Sequence, residues 1–271
     1  MPPVLLTIAA SDPLGGAGVQ ADLATFAAFG VHGASALTAV TAQSLTAVTA
    51  VEPVQADLVA RQIDSVASEL GVAGAKTGLL RRLEIVELVA TRVERGSLPA
   101  PIVDPVMVDG KGVRLVPGEV EDAYRRRLFP LARVVTPNRA EAELLAGTEL
   151  PSAEAVLDCA GSFRELGSEA VVVTGGGFDG ESDDAVITAA GDCWVVRGSR
   201  IATRNVRGSG CTFSAALAAS LALGADLDRA VAAAGRFVRA AIAASAGWTL
   251  DGPGPVSHAL GCQAQGTDRV I

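Results

Sequence analysis

The chain has 271 residues, of which 49% are hydrophobic and 19% charged, with a formal net charge of −8. That length and apolar content support one large α/β domain with a sizeable core and exclude a disordered chain. The acidic balance argues against nucleic acid or an anionic membrane surface as partner, and no apolar run approaches the length of a membrane span.

Short apolar runs alternate with longer helical patterns from the first residues onward. Val4-Leu5-Leu6-Thr7-Ile8-Ala9 predicts a buried strand, and residues 18–29 a helix with Val19, Leu23, Phe26 and Ala27 on one face. A strand follows over 34–42, then a helix over 57–70 with Asp57 as its N-cap and Gly71 as its stop. Strands over 73–78, 101–104 and 132–136 are separated by helices over 83–95 and 119–129. Helices over 138–145 and 152–166 lead into a β-branched strand at 170–174, and 185–189 with 193–196 form a hairpin turning at Ala190-Gly191-Asp192. Alanine-rich helices over 211–223 and 227–246 complete the pattern. Such alternation predicts a mostly parallel sheet with helices on both faces, in a single domain over 1–260, with 261–271 as a flexible tail.

Cysteines stand at 159, 193, 211 and 262 without a C-x-x-C pair, which fits reduced thiols in a cytoplasmic protein and argues against structural zinc. Cys159 and Cys193 lie in apolar contexts and are expected in the core. The N-terminus, Met1-Pro2-Pro3-Val4, shows no basic leader. Two histidines, His32 and His258, leave little room for a Ser-His-Asp or Cys-His hydrolase. Twenty of the 22 basic residues are arginine, so the two lysines, Lys76 and Lys111, stand out.

In open α/β sheets ligands sit outside the carboxyl ends of the strands. Polar residues recur there: Ser11-Asp12, Gln43, Lys76-Thr77, Asp104, Thr136-Pro137-Asn138 and Thr174-Gly175-Gly176-Gly177. Gly208-Ser209-Gly210-Cys211-Thr212 opens an alanine-rich helix, whose first-turn N–H groups lack intrahelical partners. The segment is either a plain helix cap or a cradle for a phosphate or oxyanion, and the same field would favour a thiolate at Cys211. Gly16-Ala17-Gly18-Val19-Gln20-Ala21 fits G-x-G-x-x-A after a strand, but Val40-Thr41-Ala42-Gln43 offers no acid for a ribose, which disfavours a dinucleotide oxidoreductase. Gly74-Ala75-Lys76-Thr77 ends like a P-loop without its obligatory glycine. Asn138 and Glu141, at i and i+3, are either a capping box or a pair serving phosphate and Mg²⁺. Asp104 is a strand-end turn residue or a second metal-facing carboxylate. Gln43, with one acceptor and two donors, either caps backbone or complements an aminopyrimidine's ring nitrogen and amino group.

Ala10-Ser11-Asp12-Pro13-Leu14-Gly15-Gly16-Ala17-Gly18-Val19-Gln20-Ala21-Asp22 resembles the opening of the hydroxymethylpyrimidine/phosphomethylpyrimidine kinases of thiamine biosynthesis, in the ribokinase-like superfamily. Thr38–Gln43, Ala75-Lys76-Thr77-Gly78, Asp104-Pro105-Val106-Met107, Thr136-Pro137-Asn138, Gly208–Thr212 and Gly254-Pro255-Val256-Ser257-His258 resemble the same family in the same order, over about residues 4 to 258. The resemblance implies a ribokinase-like three-layer α/β/α sandwich. It implies transfer of the γ-phosphoryl of ATP to 4-amino-5-hydroxymethyl-2-methylpyrimidine and then to its monophosphate, with Mg²⁺, a monovalent cation as a further candidate, and a homodimer as the assembly. Matched position by position, Cys211 is the base and Gly208, Ser209 and Gly210 the anion hole. Gln43, Asp22, Gly78, Leu79 and Val106 lie about the pyrimidine. Asn138, Thr174, Gly176, Arg204 and Thr212 are assigned to ATP, and Asp104 and Glu141 to the metal. Two departures stand out: Thr174-Gly175-Gly176-Gly177 replaces the family's Lys-Gly-Gly-His, and Lys111 is shifted within Val108-Asp109-Gly110-Lys111-Gly112. Arg204 or Arg207 is then the expected source of the missing charge. A vitamin B6 kinase and a non-catalytic pyrimidine-binding relative are the alternatives.

Overall fold

The protein is described by a computed structural model covering residues 1–109 and 112–258. Lys111, Cys262 and the expected tail over 261–271 lie outside the described residues. In chain order the elements are β1 (Val4–Ser11), α1 (Gly18–Ala28), β2 (His32–Gln43), β3 (Val48–Pro53), α2 (Ala56–Leu70), β4 (Gly74–Thr77) and α3 (Leu83–Glu94). There follow β5 (Ile102–Val103), α4 (Gly118–Ala123), β6 (Val134–Val135), α5 (Arg139–Ala146), α6 (Ala153–Asp158) and α7 (Ala160–Arg164). The last are β7 (Ala170–Val173), β8 (Asp184–Thr188), β9 (Cys193–Val196), α8 (Ser209–Ala222) and α9 (Leu227–Ser245).

The strands form one sheet in the order β3-β2-β1-β4-β5-β6-β7-β8-β9. Strands β2, β1, β4, β5, β6 and β7 run parallel, while β3, β8 and β9 join in antiparallel pairings at the two edges. Alternation along each central strand feeds two cores, as the two-residue repeat of a pleated strand requires. Leu6, Ile8, Val103, Val135, Val171 and Val173 face one side with α2 to α7, whereas Leu5, Ile102, Val134, Ala170 and Val172 face the other with α1, α8 and α9. Helix α8 is buried from Thr212 to Leu221, and its alanines let it lie close on the sheet beneath α1 and α9. The three-layer sandwich expected from the chain is the observed architecture. No helix among the described residues is long and apolar enough to cross a membrane.

Several local expectations need correcting. Strand β3 carried no recognisable signal because its residues are half-exposed or exposed at the sheet edge, leaving no apolar face to read. The helix expected over 152–166 breaks at Cys159, whose φ of −99° and ψ of 17° separate α6 from α7. The one over 119–129 passes from α4 into a π turn and then a 3₁₀ turn around Pro130, where the proline N cannot donate. Gln55, not Asp57, is the N-cap residue of α2, and Asp57 lies in the first turn, where its charge complements the helix dipole. Cys193 starts an edge strand and is exposed rather than core.

At the far end of the parallel strands, buried Asp184 holds the loop after β7 by accepting the Gly175 N–H at 2.8 Å. Burial, only partly offset by that bond and by Arg239, pushes the Asp184 carboxyl up to about 7. The folded state therefore binds this proton more tightly than the unfolded chain, and the stability so gained is lost as pH rises from the ordinary aspartate range through about 7. Asp184→Asn keeps an acceptor for Gly175 and removes the titration. Urea midpoints should show the variant gaining on the parent between pH 5 and 8; a constant difference across that range would count against this assignment.

Candidate active site

The first loop and the start of α8 are built against each other. Asp12, buried at the end of β1, accepts the Leu14 and Ala17 N–H groups at 2.9 Å each, while Gln20 Oε1 accepts the Asp12 N–H at 2.9 Å. This folds residues 12–17 into a closed turn whose exit, Gly18, has φ +59°, and a Cβ there would overlap the Ala10 carbonyl oxygen. Gly208, the N-cap residue of α8, has φ +79°, and a Cβ there would overlap the carbonyl oxygen of Gly16. Ser209, Gly210 and Cys211 make up the first turn of α8; the Ser209 N–H donates to Val206 O at 3.1 Å, while those of Gly210 and Cys211 lie at the positive end of the helix dipole without an intrahelical partner. The arrangement is a backbone cradle suited to an anion. Thr212 supports it from beneath: its buried hydroxyl donates to Gly208 O at 2.8 Å and pairs with His258 Nε2 at 2.9 Å. It therefore does not reach a nucleotide, contrary to its expected place among the ATP contacts.

Below the cradle lies a buried charge cluster. Lys76 of β4 and Asp22 of α1 are fully buried, with Nζ at 2.9 and 3.0 Å from the two carboxylate oxygens, and Thr7 Oγ1 donates to Asp22 at 2.6 Å. Asp22 thus has no surface for substrate, and its assignment to the pyrimidine is corrected: the same strand end that suggested a ligand contact holds a structural ion pair. Asp104, just past β5, lies 3.8 Å from Lys76 Nζ and accepts from Ser214 Oγ at 3.1 Å, with the Cys211 thiol as a further neighbour. Burial alone would lower Lys76, but Asp22, then Cys211 and Asp104, outweigh it and hold the ammonium charged above the ordinary lysine range.

Cys211 differs from its expected state. Burial, with repulsion from Asp104 and Asp22, pushes its thiol up to about 12 despite Lys76 and a bond from the Gly18 N–H. Desolvation outweighs the helix field, so the resting group is a neutral thiol. Glu141 and Asn138 form a capping box: Glu141 N–H donates to Asn138 Oδ1 at 3.0 Å and Asn138 N–H to Glu141 Oε2 at 3.0 Å. The other Glu141 oxygen accepts the Met107 N–H at 2.8 Å, tying α5 to the loop after β5. Burial first, then Asp104, pushes Glu141 up to about 8, and Asp104 is itself raised by burial and by Asp22 despite Lys76. Two crowded carboxylates beside an anion cradle fit a divalent cation brought by phosphate groups, since Mg²⁺ commonly uses only one or two protein carboxylates. No group of three or more metal-ligating side chains occurs among the described residues.

The remaining strand-end residues border the same region. Val106, between Asp104 and Met107, is held at φ +46°, a conformation that costs a β-branched residue about 1–3 kcal/mol. Gly78 is buried, and a Cβ there would come within 2.9 Å of Ala9 Cβ, while the Leu79 carbonyl accepts from Thr38 Oγ1 at 2.7 Å. Gln43 ends β2 and is bonded by Arg207. Thr174 N–H donates to Pro137 O at 3.0 Å, and exposed Gly176 follows it. Arg204 is exposed. The guanidinium groups over the loop after β7 belong instead to Arg139, on Gly177 O at 3.3 Å, and Arg200, on Gly176 O at 3.3 Å and also on Phe178 O. Neither arginine was singled out, and neither was Ser214, because each enters through a contact more than 20 residues distant, while His258 stood in the last matched motif without a role. Lys76 alone carried a signal, as one of two lysines in an arginine-rich chain.

Removing the buried cation leaves Asp22 and Asp104 uncompensated. Lys76→Met should lower stability by about 3–5 kcal/mol, and the Asp22→Asn/Lys76→Met pair should recover part of it, both read from urea unfolding. A loss of about 1 kcal/mol or less, as for an exposed pair, would show that the cluster is not held by this charge.

A family model described as phosphomethylpyrimidine kinase matches residues 12–257. A hydroxymethylpyrimidine/phosphomethylpyrimidine kinase of Rhizobium meliloti is 43% identical over 260 residues, spanning 95% of this chain and 97% of that protein. Its counterpart from Synechococcus elongatus is 41% identical over 263 residues, spanning 94% and 97%. Among solved structures, an ADP complex of Bacillus subtilis pyridoxal kinase superposes with a TM-score of 0.87 at 36% identity, covering 96% of this chain and 98% of that one. With an anion cradle, a buried cation and a ring of strand-end polar groups in one ribokinase-like sandwich, and with likeness running nearly end to end, the chain belongs to the phosphomethylpyrimidine kinase family of phosphotransferases.

Proposed function

We propose that the protein moves the γ-phosphoryl of ATP to the hydroxymethyl group of 4-amino-5-hydroxymethyl-2-methylpyrimidine and then to the resulting monophosphate, as a cytoplasmic homodimer. The observation that carries this reading is the Gly208–Cys211 cradle, with the Cys211 thiol beside Asp104 and Lys76. Phosphoryl transfer needs alignment and neutralisation of charge more than covalent help. Outward N–H groups of α8 would receive the equatorial oxygens of the transferred group, in a setting already organised before substrate arrives. Arg200, whose guanidinium rests on the loop after β7, would supply positive charge on the nucleotide side where Thr174 has none, whereas Arg139 of α5 is already paired with Glu143 at 2.9 Å. Asp104 and Glu141 would hold Mg²⁺, directly or through water; when bound, the ion neutralises phosphate charge.

Because Cys211 rests as a thiol, base catalysis takes the form of a relay. The substrate hydroxyl gives its proton to the sulfur as the thiol proton passes to Asp104; the alcohol oxygen forms its bond to the γ-phosphorus while the bond from that phosphorus to the β–γ bridging oxygen of ATP breaks and ADP leaves with its electron pair. Lys76 stays charged throughout and balances the carboxylates on either side of it.

A vitamin B6 alcohol is the second acceptor to consider, since the likeness to the Bacillus subtilis pyridoxal kinase covers almost the whole chain. A coupled ADP-release assay with the pyrimidine, its monophosphate and pyridoxal in parallel separates these readings. ADP release with the first two is expected; release with pyridoxal alone would move the assignment to vitamin B6, and release with none would sink a kinase function. In the same assay Cys211→Ala should lower kcat by about 10²–10⁴ while ATP binding changes little. Near-full turnover by that variant would remove Cys211 from the chemistry.

A further inference from the structure

The segment that leads into the cradle is fastened by one buried side chain, that of Asn205. Its Nδ2 donates to Ser245 O at 2.7 Å and to Trp248 O at 2.9 Å, and its Oδ1 accepts the Gly254 N–H at 3.0 Å. Carbonyls accept and an N–H donates, so only one placement of the amide satisfies all three partners. The side chain thereby joins the end of α9, the returning segment at 254–256 and the approach to α8. The next two residues carry the fastening forward. Val206 O accepts the N–H of Ser209, the first residue of α8, at 3.1 Å. Arg207 donates its N–H to Gly254 O at 3.0 Å, and its carbonyl accepts the Val256 N–H at 3.2 Å. Pro255, between those two partners, packs on the first loop: a Cβ at Gly16 would stand 2.7 Å from its Cβ.

We propose that Asn205 is a positioning residue for phosphoryl transfer: through Val206 and Arg207 its amide sets where the first turn of α8 stands, and so where the Gly210 and Cys211 N–H groups aim. This rests on the kinase reading above. Asn205 is buried and acts only through the backbone it holds. Its loss therefore falls on the aligned transition state more than on ground-state binding, and a displacement of about 1 Å in such a geometry can cost about a hundredfold in rate.

Steady-state ADP release from ATP with the hydroxymethylpyrimidine, alongside thermal unfolding, tests this in the full chain. Asn205→Leu adds no charge and removes all three bonds. Gly254→Ala disturbs the same fastening from the other side, because a Cβ there would overlap Asn205 Oδ1. Ser168→Ala is the control: it removes a buried bond from Ser168 Oγ to Ala170 O, 3.1 Å, at the opposite end of β7 from the nucleotide-side loop. All three should melt at a lower temperature than the parent. Assayed well below their midpoints, Asn205→Leu and Gly254→Ala should lose about ten- to a hundredfold in kcat, with both KM values little changed. Ser168→Ala should keep the parental kcat. Parental kcat in folded Asn205→Leu or Gly254→Ala, a raised KM with kcat unchanged, or an equal kcat loss in Ser168→Ala overturns the assignment and leaves the kinase reading intact. If Asn205→Leu does not fold, Gly254→Ala decides. A parent that releases no ADP with the pyrimidine overturns the kinase reading and this assignment with it.

Discussion

A single positive charge inside the protein organises the site. Lys76 Nζ sits among Asp22, Asp104 and Cys211, without access to water, on the strand next to the centre of the sheet. Each partner comes from a different element: α1, the loop after β5, and the first turn of α8. Isolated burial of an ammonium is strongly unfavourable, so these elements meet in the one arrangement that compensates it. The ion pair therefore acts more as a specification of geometry than as a source of stability.

The surrounding chemistry follows from that arrangement. Burial first, and then the crowding of two carboxylates and a thiol around one cation, leaves Cys211 a neutral thiol and raises Asp104, while burial and Asp104 raise Glu141. The outward-facing N–H groups of α8 offer positive potential just above. A phosphate group with its counter-ion completes a balance that the protein leaves open. Strain is placed in the same neighbourhood, where Val106 is held at a positive φ between Asp104 and the Met107 N–H that binds Glu141.

Much of this was legible from local pattern. The β1 run, the Gly208–Thr212 segment and the strand-end polar residues announced a parallel sheet and a site at one end, because periodicity and turn chemistry act over a few residues. Burial was harder to read. Asp22 and Thr212 follow glycine-rich loops closely in the chain, yet both are turned inward, held by partners 54 and 46 residues away. The state of Cys211 was misread for a related reason: a helix terminus is visible in sequence, whereas the desolvation that outweighs it is a property of the packed fold. Strand β3 was missed because an exposed edge strand needs no apolar alternation, and its pairing with β2 supplies what the pattern lacks.

The contact between Gly16 and Gly208 has a mechanical consequence. With no side chain on either residue, two backbones pack directly against each other, and the first loop and the cradle share one seam. Asp12 stiffens one half and Thr212 the other. Any side chain larger than hydrogen at position 208 would therefore have to push the first loop aside, so the spacing of the two backbones is set by the absence of a Cβ.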